Sequence, residues 1–277
     1  MNAILITGAS TGIGHATALH LAEKGFTVFA GVRKESDAAR LAAEHPNLRP
    51  VHLDVTDADS IAHAINVIRE SELPLYALIN NAGIAIGGPL EHLPLDELRK
   101  QLEVNVVGML AMTQAALPLL RATKGRVVTI GSIASRFGAP LLGPYCASKA
   151  AVAMLMDSLR LELAPFGIAA VLFEFAAVKT PIWEKGRALK ADLTQRLPQE
   201  ALEAYAPFVE AAERQIDHEE RVGLDPDDVA EAIAAAVMAL HPRARYVIGK
   251  QAHVQAAVAA LPHRLRDGML RKVLRIP

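Results

Sequence analysis

Residues 3–14 read AILITGASTGIG, a short apolar run that leads into a turn with three glycines. The run has the length and composition of a buried strand, and a helical pattern over 13–24 follows it directly. Glycines allow a tight turn and a close approach of the backbone to a ligand. The first turn of a helix presents free N–H groups and the positive end of the helix dipole, which together bind phosphate groups. The stretch therefore predicts a strand, a pyrophosphate-binding turn and a helix; the simpler interpretation is a glycine-rich connection without a ligand.

The rest of the chain repeats this alternation of short apolar runs and longer helical patterns. Apolar runs cover 27–30, 49–53, 75–79, 126–130, 168–173 and 246–248, and helical patterns cover 58–69, 95–120, 145–163 and 229–240. Strands that are apolar throughout are buried on both faces, and helices that join parallel strands make right-handed crossovers. The expected fold class is α/β, a doubly wound parallel sheet of the Rossmann type, in which ligands bind outside the carboxyl ends of the strands.

Composition excludes several other classes of protein. The 277 residues are 52% hydrophobic and 21% charged with a net charge of -1, which argues against a disordered chain and against nucleic-acid binding. The single cysteine, Cys146, cannot build a disulfide framework. We expect no signal peptide, no membrane-spanning run of about 18 apolar residues and a cytoplasmic location. His241, His253 and His263 lack ligand spacing, so no metal site is expected.

Tyr145 and Lys149 form a candidate acid–base pair. They are four residues apart in a helical pattern, so their Cβ atoms lie roughly 5–6 Å apart on one face. A free phenol has a pKa of about 10, and a neighbouring ammonium lowers it toward the range useful for proton transfer. Ser132 follows the strand at 126–130, at the edge where such a sheet places its site. Alone, the pair suits a packed tyrosine and a solvated lysine equally well, but its combination with Ser132 favours catalysis.

The glycine spacing is Gly-x3-Gly-x-Gly, and with four further motifs it resembles the short-chain dehydrogenase/reductase family. The motifs are TGASTGIG at 7–14, LDV at 53–55, NNAG at 80–83, the serine at 132 and YCASK at 145–149. They follow the order of the family and cover residues 3–180, and the likeness continues more loosely to about Gly249. The Val-Arg-Lys turn at 32–34 and the tail after Gly249 resemble those of hydroxysteroid and retinol dehydrogenase-like members.

The resemblance implies a catalytic tetrad of Asn105, Ser132, Tyr145 and Lys149. Tyr145 would exchange a proton with the substrate oxygen, and Ser132 would orient that oxygen. Lys149 would lower the pKa of Tyr145 and bind the nicotinamide ribose, and Asn105 would hold a water that links Lys149 to solvent. A buried asparagine in the helix at 95–120 needs a polar partner, either a backbone carbonyl or water. The hydride would pass directly between nicotinamide and substrate carbon.

The end of the second strand favours NADP(H) over NAD(H). An acidic residue there would bind the ribose 2′-hydroxyl, whereas this chain has Arg33 and Lys34. Two alternatives remain: the cations form a solvated turn, or NAD(H) is used, as in some family members without the acid. By the same resemblance, Asp54 would accept a hydrogen bond from the adenine amino group. The simpler interpretations are a helix cap for Asp54 and an ordinary turn for the asparagines at 80–81. The expected cofactor-binding residues are Gly8, Ser10, Thr11, Gly12, Ile13, Gly14, Arg33, Lys34, Asp54, Val55, Asn81, Ala82, Gly83, Tyr145, Lys149, Val178 and Thr180.

The chain departs from the family after the sixth strand. Phe175 and Ala176 stand where the family usually has Pro-Gly, while Thr180, which would contact the nicotinamide carboxamide, is kept. Phenylalanine is bulkier than proline, and alanine adopts positive φ less freely than glycine. Three interpretations follow: a reshaped substrate pocket, an altered cofactor pose, or a deliberately engineered chain. We predict altered substrate selectivity with activity retained.

The last third of the chain is expected to cover the substrate. Residues 181–222 lie where the family has a substrate-covering insert. Its apolar side chains at helical spacing either line a pocket together with Ile182 and Trp183 or simply pack on the core; they are Leu202, Tyr205, Phe208, Val209, Ala212 and Ile216. An apolar lid suits a steroid, retinoid or aromatic ketone better than a free sugar. We expect one domain over 1–249, with a helical lid at 181–222, and a C-terminal extension over 250–277. The expected substrate-contacting residues are Phe175, Ala176, Trp183 and Tyr205.

The tail also allows another role. Residues 262–277 carry five basic residues against one acidic residue in an amphipathic pattern. Four roles are open to such a helix: it could dock on the protein, cover the pocket, pack on a neighbouring subunit or lie on a membrane. Docking is favoured over peripheral membrane contact.

These observations predict an NADP(H)-preferring oxidoreductase that interconverts a secondary alcohol and a ketone on a bulky, hydrophobic substrate. The alternatives are a catalytically weak NADP(H)-binding regulatory protein, which the Phe175-Ala176 pair keeps open, and a membrane-surface protein built around the tail. By resemblance, we expect a homo-oligomer, either a dimer or a tetramer, that forms through the helices at 95–120 and 145–164.

Overall fold

The computed structural model describes residues 2–180 and 197–276, and seven parallel strands form its centre. The strand order is β3-β2-β1-β4-β5-β6-β7, so the chain runs from β1 to one edge and then crosses to build the other. This arrangement confirms the predicted doubly wound sheet. The strands are β1 (Ala3–Ile6), β2 (Thr27–Val32), β3 (Leu48–His52), β4 (Leu75–Asn80), β5 (Arg126–Ile130), β6 (Ala169–Phe175) and β7 (Arg245–Ile248).

Helices cover both faces of the sheet. Helices α3, α5 and α6 pack on one face, and α1 and α8 pack on the other. The helices are α1 (Gly12–Glu23), α2 (Glu35–Glu44), α3 (Ala58–Glu70), α4 (Leu95–Leu102), α5 (Gly108–Thr123), α6 (Gly143–Leu163), α7 (Gln199–Val222), α8 (Pro226–Met238), α9 (Lys250–Ala259) and α10 (His263–Leu274).

The first strand shows why uniformly apolar runs become central strands. Side chains alternate between the two faces of a strand. Ala3 and Leu5 therefore enter the core beneath α3 and α5, and Ile4 and Ile6 enter the core beneath α1 and α8. All four residues are completely buried. A polar side chain at any of these four positions would be buried away from water, whichever face of the sheet it lay on. The apolar run therefore suits only an interior strand.

The long helical pattern after β4 is interrupted in the structure. It divides into α4, a π-helical turn at Glu103–Val107 and α5. Within Leu95–Thr123, one window of 18 residues has a mean hydropathy of 1.3, which is apolar enough for a membrane-spanning helix, although the sequence pattern predicts none. Core helices of globular domains meet the same criteria, and this stretch packs Met112, Ala116 and Leu120 into the core beneath the sheet.

The C-terminal extension begins directly after the last strand. Gly249, at φ +90°, turns the chain from β7 into α9, and α10 then packs against α7. The extension thus lies beside the segment that was expected to cover the substrate. The boundary at 249/250 between domain and extension stays a prediction.

Candidate active site

A cleft of about 1310 Å³ runs along the carboxyl ends of the strands, the edge at which the sequence predicts the site. Its walls include the glycine-rich turn, the ends of β2, β4, β5 and β6, and the helices α7, α9 and α10. Of the expected cofactor-binding residues, those that line it are Gly8, Ser10, Thr11, Gly12, Ile13, Arg33, Asp54, Val55, Asn81, Ala82, Gly83, Tyr145, Lys149, Val178 and Thr180.

The glycine-rich turn depends on its glycines for backbone conformation and for space. Gly8 and Gly12 have φ values of +66° and +59°, in the left-handed region that favours glycine. A Cβ atom on Gly8 would lie 2.9 Å from the Cα of Ala82. A Cβ atom on Gly14 would lie 2.5 Å from the carbonyl oxygen of Gly8. Gly14 does not line the cleft but lets α1 approach the turn closely, which brings the N-terminus of α1 to the cleft.

Asn81 joins the ends of β1 and β4. Its Nδ2 donates hydrogen bonds to the carbonyl oxygens of Thr7 at 3.0 Å and Gly8 at 2.9 Å. In return, the Thr7 hydroxyl accepts hydrogen bonds from the backbone N–H groups of Asn81 and Ala82. The NNAG motif therefore fixes the conformation of the glycine-rich turn, and it forms one wall of the cleft.

The end of β2 presents one cation to the cleft. The Arg33 side chain is 70% exposed, and its Nη1 lies 3.9 Å from Oδ2 of Asp54. Lys34 immediately precedes α2 and does not line the cleft. Burial raises the pKa of Asp54, but hydrogen bonds from Thr56 and the charge of Arg33 outweigh it and leave the pKa below its usual value. Asp54 is therefore an anion that is weakly paired with a largely exposed guanidinium.

Arg40 is a second arginine near the glycine-rich turn, and it is not among the expected cofactor-binding residues. Its Nη2 donates to the carbonyl oxygen of Ser10 at 2.5 Å, and its Nη1 pairs with Glu44 at 2.5 Å. His15, on α1, contacts the same glutamate at 2.5 Å. Helix α2 is absent from the predicted elements, and only Leu41 of its ten residues is buried.

The catalytic candidates Ser132, Tyr145 and Lys149 meet in the cleft. Ser132 follows β5 and forms a hydrogen bond with the Tyr145 hydroxyl. Lys149, one turn after Tyr145 on α6, donates from Nζ to the carbonyl oxygen of Ile130 at 2.8 Å. Its Nζ lies 5.7 Å from the centroid of the Tyr145 ring. The helical spacing and the end of β5 thus bring these three groups together as predicted.

The pKa values of this pair depart from the sequence expectation. Burial raises the pKa of Tyr145, and the hydrogen bond with Ser132 only partly opposes it. Burial lowers the pKa of Lys149 to about 8. The predicted lowering of the Tyr145 pKa by Lys149 is not found, because desolvation dominates at both groups and the ammonium is directed to the Ile130 carbonyl. In this structure Tyr145 is therefore a neutral proton donor.

Asn105 lies behind these groups, in the π-helical turn. Its Oδ1 accepts a hydrogen bond from the N–H of Ile84 at 2.9 Å, and its Nδ2 donates to the Ile84 carbonyl and to the Ser148 hydroxyl, each at 3.0 Å. The Ser148 hydroxyl donates in turn to the Tyr145 carbonyl at 2.8 Å. Gln101, one helical turn earlier, makes similar bonds to Ile84 and Ile86. Asn105 has the buried backbone partner that was expected; its role in a water relay stays a prediction.

Phe175 ends β6 and faces both the core and the cleft. It is 6% exposed, packs in the core beneath α8, and also lines the cleft. Ala176 lines the cleft as well and does not adopt a positive φ. The missing glycine therefore causes no left-handed strain. The following segment is held by hydrogen bonds between Lys179 N and Leu224 O and between Leu224 N and Ala177 O, each 3.0 Å.

A buried carboxylate supports the segment after β5, and no sequence motif marks it. Glu174, on β6, is completely buried and accepts hydrogen bonds from the Ser135 hydroxyl at 2.7 Å and from Arg136 Nη2 at 2.5 Å. Its carboxylate raises the pKa of the Arg136 guanidinium through that hydrogen bond. These contacts hold the turn Ile133–Ser135, which begins at Ser132. Glu174 and Arg136 are 38 residues apart, so no local pattern connects them.

The far end of the cleft differs in part from the expectation. Tyr205 does not line it, because its hydroxyl donates to Glu91 at 3.0 Å and its ring packs on His92. Trp183 lies outside the described residues. Four of the apolar residues that were expected to line a pocket do line the cleft, namely Phe208, Val209, Ala212 and Ile216 on α7. The rest of the lining here was not predicted and comes from α7 and the C-terminal helices: Glu213, Gln215, His218, Glu219, Gln251, Val254, Gln255, Val258, Met269, Leu270, Val273 and Leu274.

Comparison with known proteins agrees with this geometry. A model of the short chain dehydrogenase family matches residues 2–190. The chain is 36% identical to NADPH-dependent 3-dehydrocapnine reductase of Ornithobacterium rhinotracheale, over 99% of this chain and 98% of that protein. It is 35% identical to mouse (Mus musculus) retinol dehydrogenase 5, over 99% and 89%. The crystal structure of a short-chain dehydrogenase from Streptomyces avermitilis is similar with a TM-score of 0.79 at 27% identity, over 99% and 97%.

The family model and the relatives cover the glycine-rich turn, the NNAG turn and the Ser132–Tyr145–Lys149 group, all of which lie on one cleft. The likeness to the first relative extends over nearly the whole of both chains. The chain belongs to the short-chain dehydrogenase family of oxidoreductases.

Proposed function

We propose that the chain is an NADP(H)-dependent enzyme that interconverts a ketone and a secondary alcohol on a bulky, apolar substrate. The observation that carries this proposal is the meeting of Ser132, Tyr145 and Lys149 at one end of a cleft whose far wall is largely apolar. A proton donor, an orienting hydroxyl and a cation together suit chemistry at a carbonyl oxygen.

The cleft suits a dinucleotide at its other end. The glycine-rich turn leaves space that a side chain would fill, and α1 begins there with free N–H groups. Arg33 is largely exposed and offers its guanidinium to a 2′-phosphate, while the sequence provides no acidic residue at the end of β2. One relative, the 3-dehydrocapnine reductase, is NADPH-dependent by name. These features favour NADP(H) over NAD(H).

The residues would divide the work of ketone reduction as follows. Ser132 and Tyr145 donate hydrogen bonds to the carbonyl oxygen and fix its position. The raised pKa keeps Tyr145 protonated, so it can give its proton to that oxygen. Lys149 is charged below a pKa of about 8 and holds the ribose hydroxyls beside the reacting carbon. The bound NADPH supplies the hydride.

The cleft lining indicates the kind of substrate. Helix α10 contributes apolar side chains to the cleft, including Leu270, Val273 and Leu274. The tail therefore forms part of the cleft wall, which supports a docked helix over one that lies on a membrane. A lined cleft of this size and polarity suits a steroid, a retinoid or a long aliphatic chain.

Steady-state reduction of a steroid ketone and of a long-chain aliphatic ketone tests the function, with NADPH and NADH compared. We expect turnover that prefers NADPH, and a loss of about 100-fold or more in Tyr145→Phe, because general acid catalysis typically contributes that much. Tyr205→Phe is the matched control, since Tyr205 lies outside the cleft lining, and it should keep full activity.

Two results would count against the proposal. NADPH binding without turnover of any ketone would favour the regulatory protein. Equal activity of wild type and Tyr145→Phe would remove the acid–base role.

The surface suggests that the enzyme is a homo-oligomer. Val107 before α5, and Met154 and Leu161 on α6, are large apolar residues that are about half exposed or more. These are the helices through which association is predicted. Sedimentation as a monomer at micromolar concentration would reject this part of the proposal.

A further inference from the structure

Glu219 places a buried carboxylate at the far end of the cleft, where α7 and α9 also contribute the polar side chains of Glu213, Gln215, His218, Gln251 and Gln255. It lies on α7, lines the cleft and is 7% exposed. Its Oε1 accepts hydrogen bonds from Gln215 Nε2 at 2.5 Å and from Gln251 Nε2 at 3.0 Å. No hydrogen bond from a described residue reaches its Oε2. The carboxylate is therefore oriented by two amides, and within residues 2–180 and 197–276 no donor bonds to its second oxygen.

This carboxylate lies toward the reacting end of the cleft. Gln251 belongs to α9, which packs against the turn Ile133–Ser135 that directly follows Ser132. On the other side, the N–H of Gly223 bonds to the Glu219 carbonyl at 2.7 Å, and the adjacent Leu224 bonds to Ala177 beyond β6. Glu219 thus stands between the segment that carries Ser132 and the segment that follows Phe175.

The proposed ketone reduction does not use the Glu219 carboxylate. Its burial is unfavourable, because a carboxylate loses its water shell and burial raises its pKa. The two amide donors and the positive charge of the neighbouring His218 offset part of that cost, and they favour the ionised form. A cationic hydrogen-bond donor at Oε2 would complete the set of partners. Beyond Glu219, the lining from α10 is apolar again, including Met269 and Leu270.

We propose that Glu219 binds a primary ammonium group that the substrate carries close to its carbonyl carbon, so that the substrate is a lipophilic amino ketone and the product an amino alcohol. This inference rests on the proposed ketone reduction and names its substrate class. Gln215 and Gln251 are positioning residues that hold the carboxylate, and the apolar lining beyond it takes the hydrocarbon chain.

The alternative is a purely structural role for Glu219, because its hydrogen bond with Gln251 joins α7 to α9. The two explanations differ in what they predict for different substrates. A structural tie affects every substrate alike, whereas an ammonium site affects only those that carry the amine.

The experiment compares two long-chain ketones that differ only in an amino group on the carbon next to the carbonyl. For the wild type we expect kcat/KM to be about tenfold or more higher for the amino ketone, because a hydrogen bond between charged groups contributes on this scale. Glu219→Gln should lose that advantage and keep its rate on the plain ketone within about threefold. Glu210→Gln is the control, as it changes a 70% exposed glutamate on the same helix and should preserve the preference.

A second measurement uses the unaltered enzyme. A long-chain primary amine should inhibit reduction of the plain ketone at about one tenth of the concentration required for the alcohol of equal chain length.

The outcomes separate the claims. Equal inhibition by amine and alcohol, no preference in the wild type, or an equal loss on both ketones in Glu219→Gln would each overturn the ammonium site while ketone reduction stands. If the wild type reduces neither ketone, the proposed function fails, and the inference fails with it.

Discussion

The two ends of the cleft are built in different ways. At the cofactor end, the walls are backbone turns at the ends of adjacent strands, where Gly8 and Gly14 leave space and Asn81 ties β1 to β4. At the substrate end, the walls are side chains from α7, α9 and α10, which come from distant parts of the last third of the chain. The first end tolerates little change in shape, and the second can change its lining while the backbone stays in place.

This difference explains where the chain departs from its family. Phe175 and Ala176 replace the usual pair at the border between the two ends, and the backbone there needs no left-handed residue. We therefore predict that the substitution alters the lining without altering the path of the chain. Four predictions test whether the border between the cofactor end and the substrate end lies at Phe175 and Ala176. They are ordered from the largest expected effect to the smallest.

Gly14→Ala should cause the largest loss, because its Cβ atom would lie 2.5 Å from the Gly8 carbonyl oxygen. We expect the free energy of unfolding to fall by about 1–3 kcal/mol, as in other overpacked sites. Binding of NADPH should weaken by more than about tenfold, since 1.4 kcal/mol corresponds to that factor. Thermal unfolding and fluorescence titration with NADPH measure the two effects.

Gly268→Ala is the matched control, since its Cβ atom would meet nothing within 4 Å on α10. It should leave cofactor binding unchanged and slightly stabilise the helix. Equal effects of the two substitutions would show that the turn is less constrained than its geometry implies.

The pH dependence tests the state of Lys149. Its pKa of about 8 means that the ammonium is lost as pH rises through that value. We expect kcat/KM for ketone reduction to be level below about pH 8 and to fall by about tenfold per pH unit above it, because kcat/KM reports the free enzyme. Steady-state rates between pH 6 and pH 10 measure this.

Unfolding cannot account for such a fall. The folded pKa lies below the unfolded value of about 10.4, so the unfolded chain binds more protons between the two values and Lys149 makes the fold more stable as pH rises. Lys149→Arg, whose guanidinium stays charged, should remove the fall near pH 8. A profile that is level to pH 10 in the wild type would contradict the role of the ammonium.

Arg33→Gln should raise the Kd for NADPH by about tenfold and leave that for NADH nearly unchanged, because it removes one charge-assisted bond to the 2′-phosphate. The effect should shrink as salt is added, since Arg33 is largely exposed. Lys34→Gln is the control and should change the Kd less, because Lys34 does not line the cleft. A larger effect at Lys34 would place the phosphate elsewhere.

Phe175→Leu should have the smallest effect on the fold, about 1 kcal/mol, because it roughly conserves an apolar side chain in a packed site. The KM for a bulky ketone should change by a few fold with kcat within about twofold, since the residue lines the cleft but holds no reacting atom. Phe173→Leu, on the same strand but outside the cleft lining, should affect stability alone. A large loss of kcat in Phe175→Leu would instead indicate an altered cofactor pose.

Much of the fold is predictable because the central strands β1, β2, β4, β5 and β6 are short, mostly apolar and buried, and longer helical patterns separate them. Helix α2 was missed; it is short and buries only Leu41. The π-helical turn at Glu103–Val107 is also invisible in the pattern, because it shifts the helix by one residue without interrupting its apolar character.

The residues of the candidate site also divide into those that the sequence predicts and those that it does not. Ser132, Tyr145 and Lys149 are predictable because helical spacing and the end of a strand position them. Glu174 and Glu219 are not, because their partners are distant: Arg136 is 38 residues from Glu174, and Gln251 is 32 residues from Glu219. Tyr205 has the right spacing on an apolar helix but points to Glu91.

By itself, the sequence determined the parallel sheet, the family and the groups that we propose carry the chemistry, since these follow from local spacing and from residue types that only one backbone conformation suits. The tertiary structure alone decided the protonation tendencies of Tyr145 and Lys149, because desolvation depends on everything packed around a group. It also decided which side chains of α7, α9 and α10 face the cleft. Burial and long-range hydrogen bonds are properties of the packed chain, and no local pattern of residues encodes them.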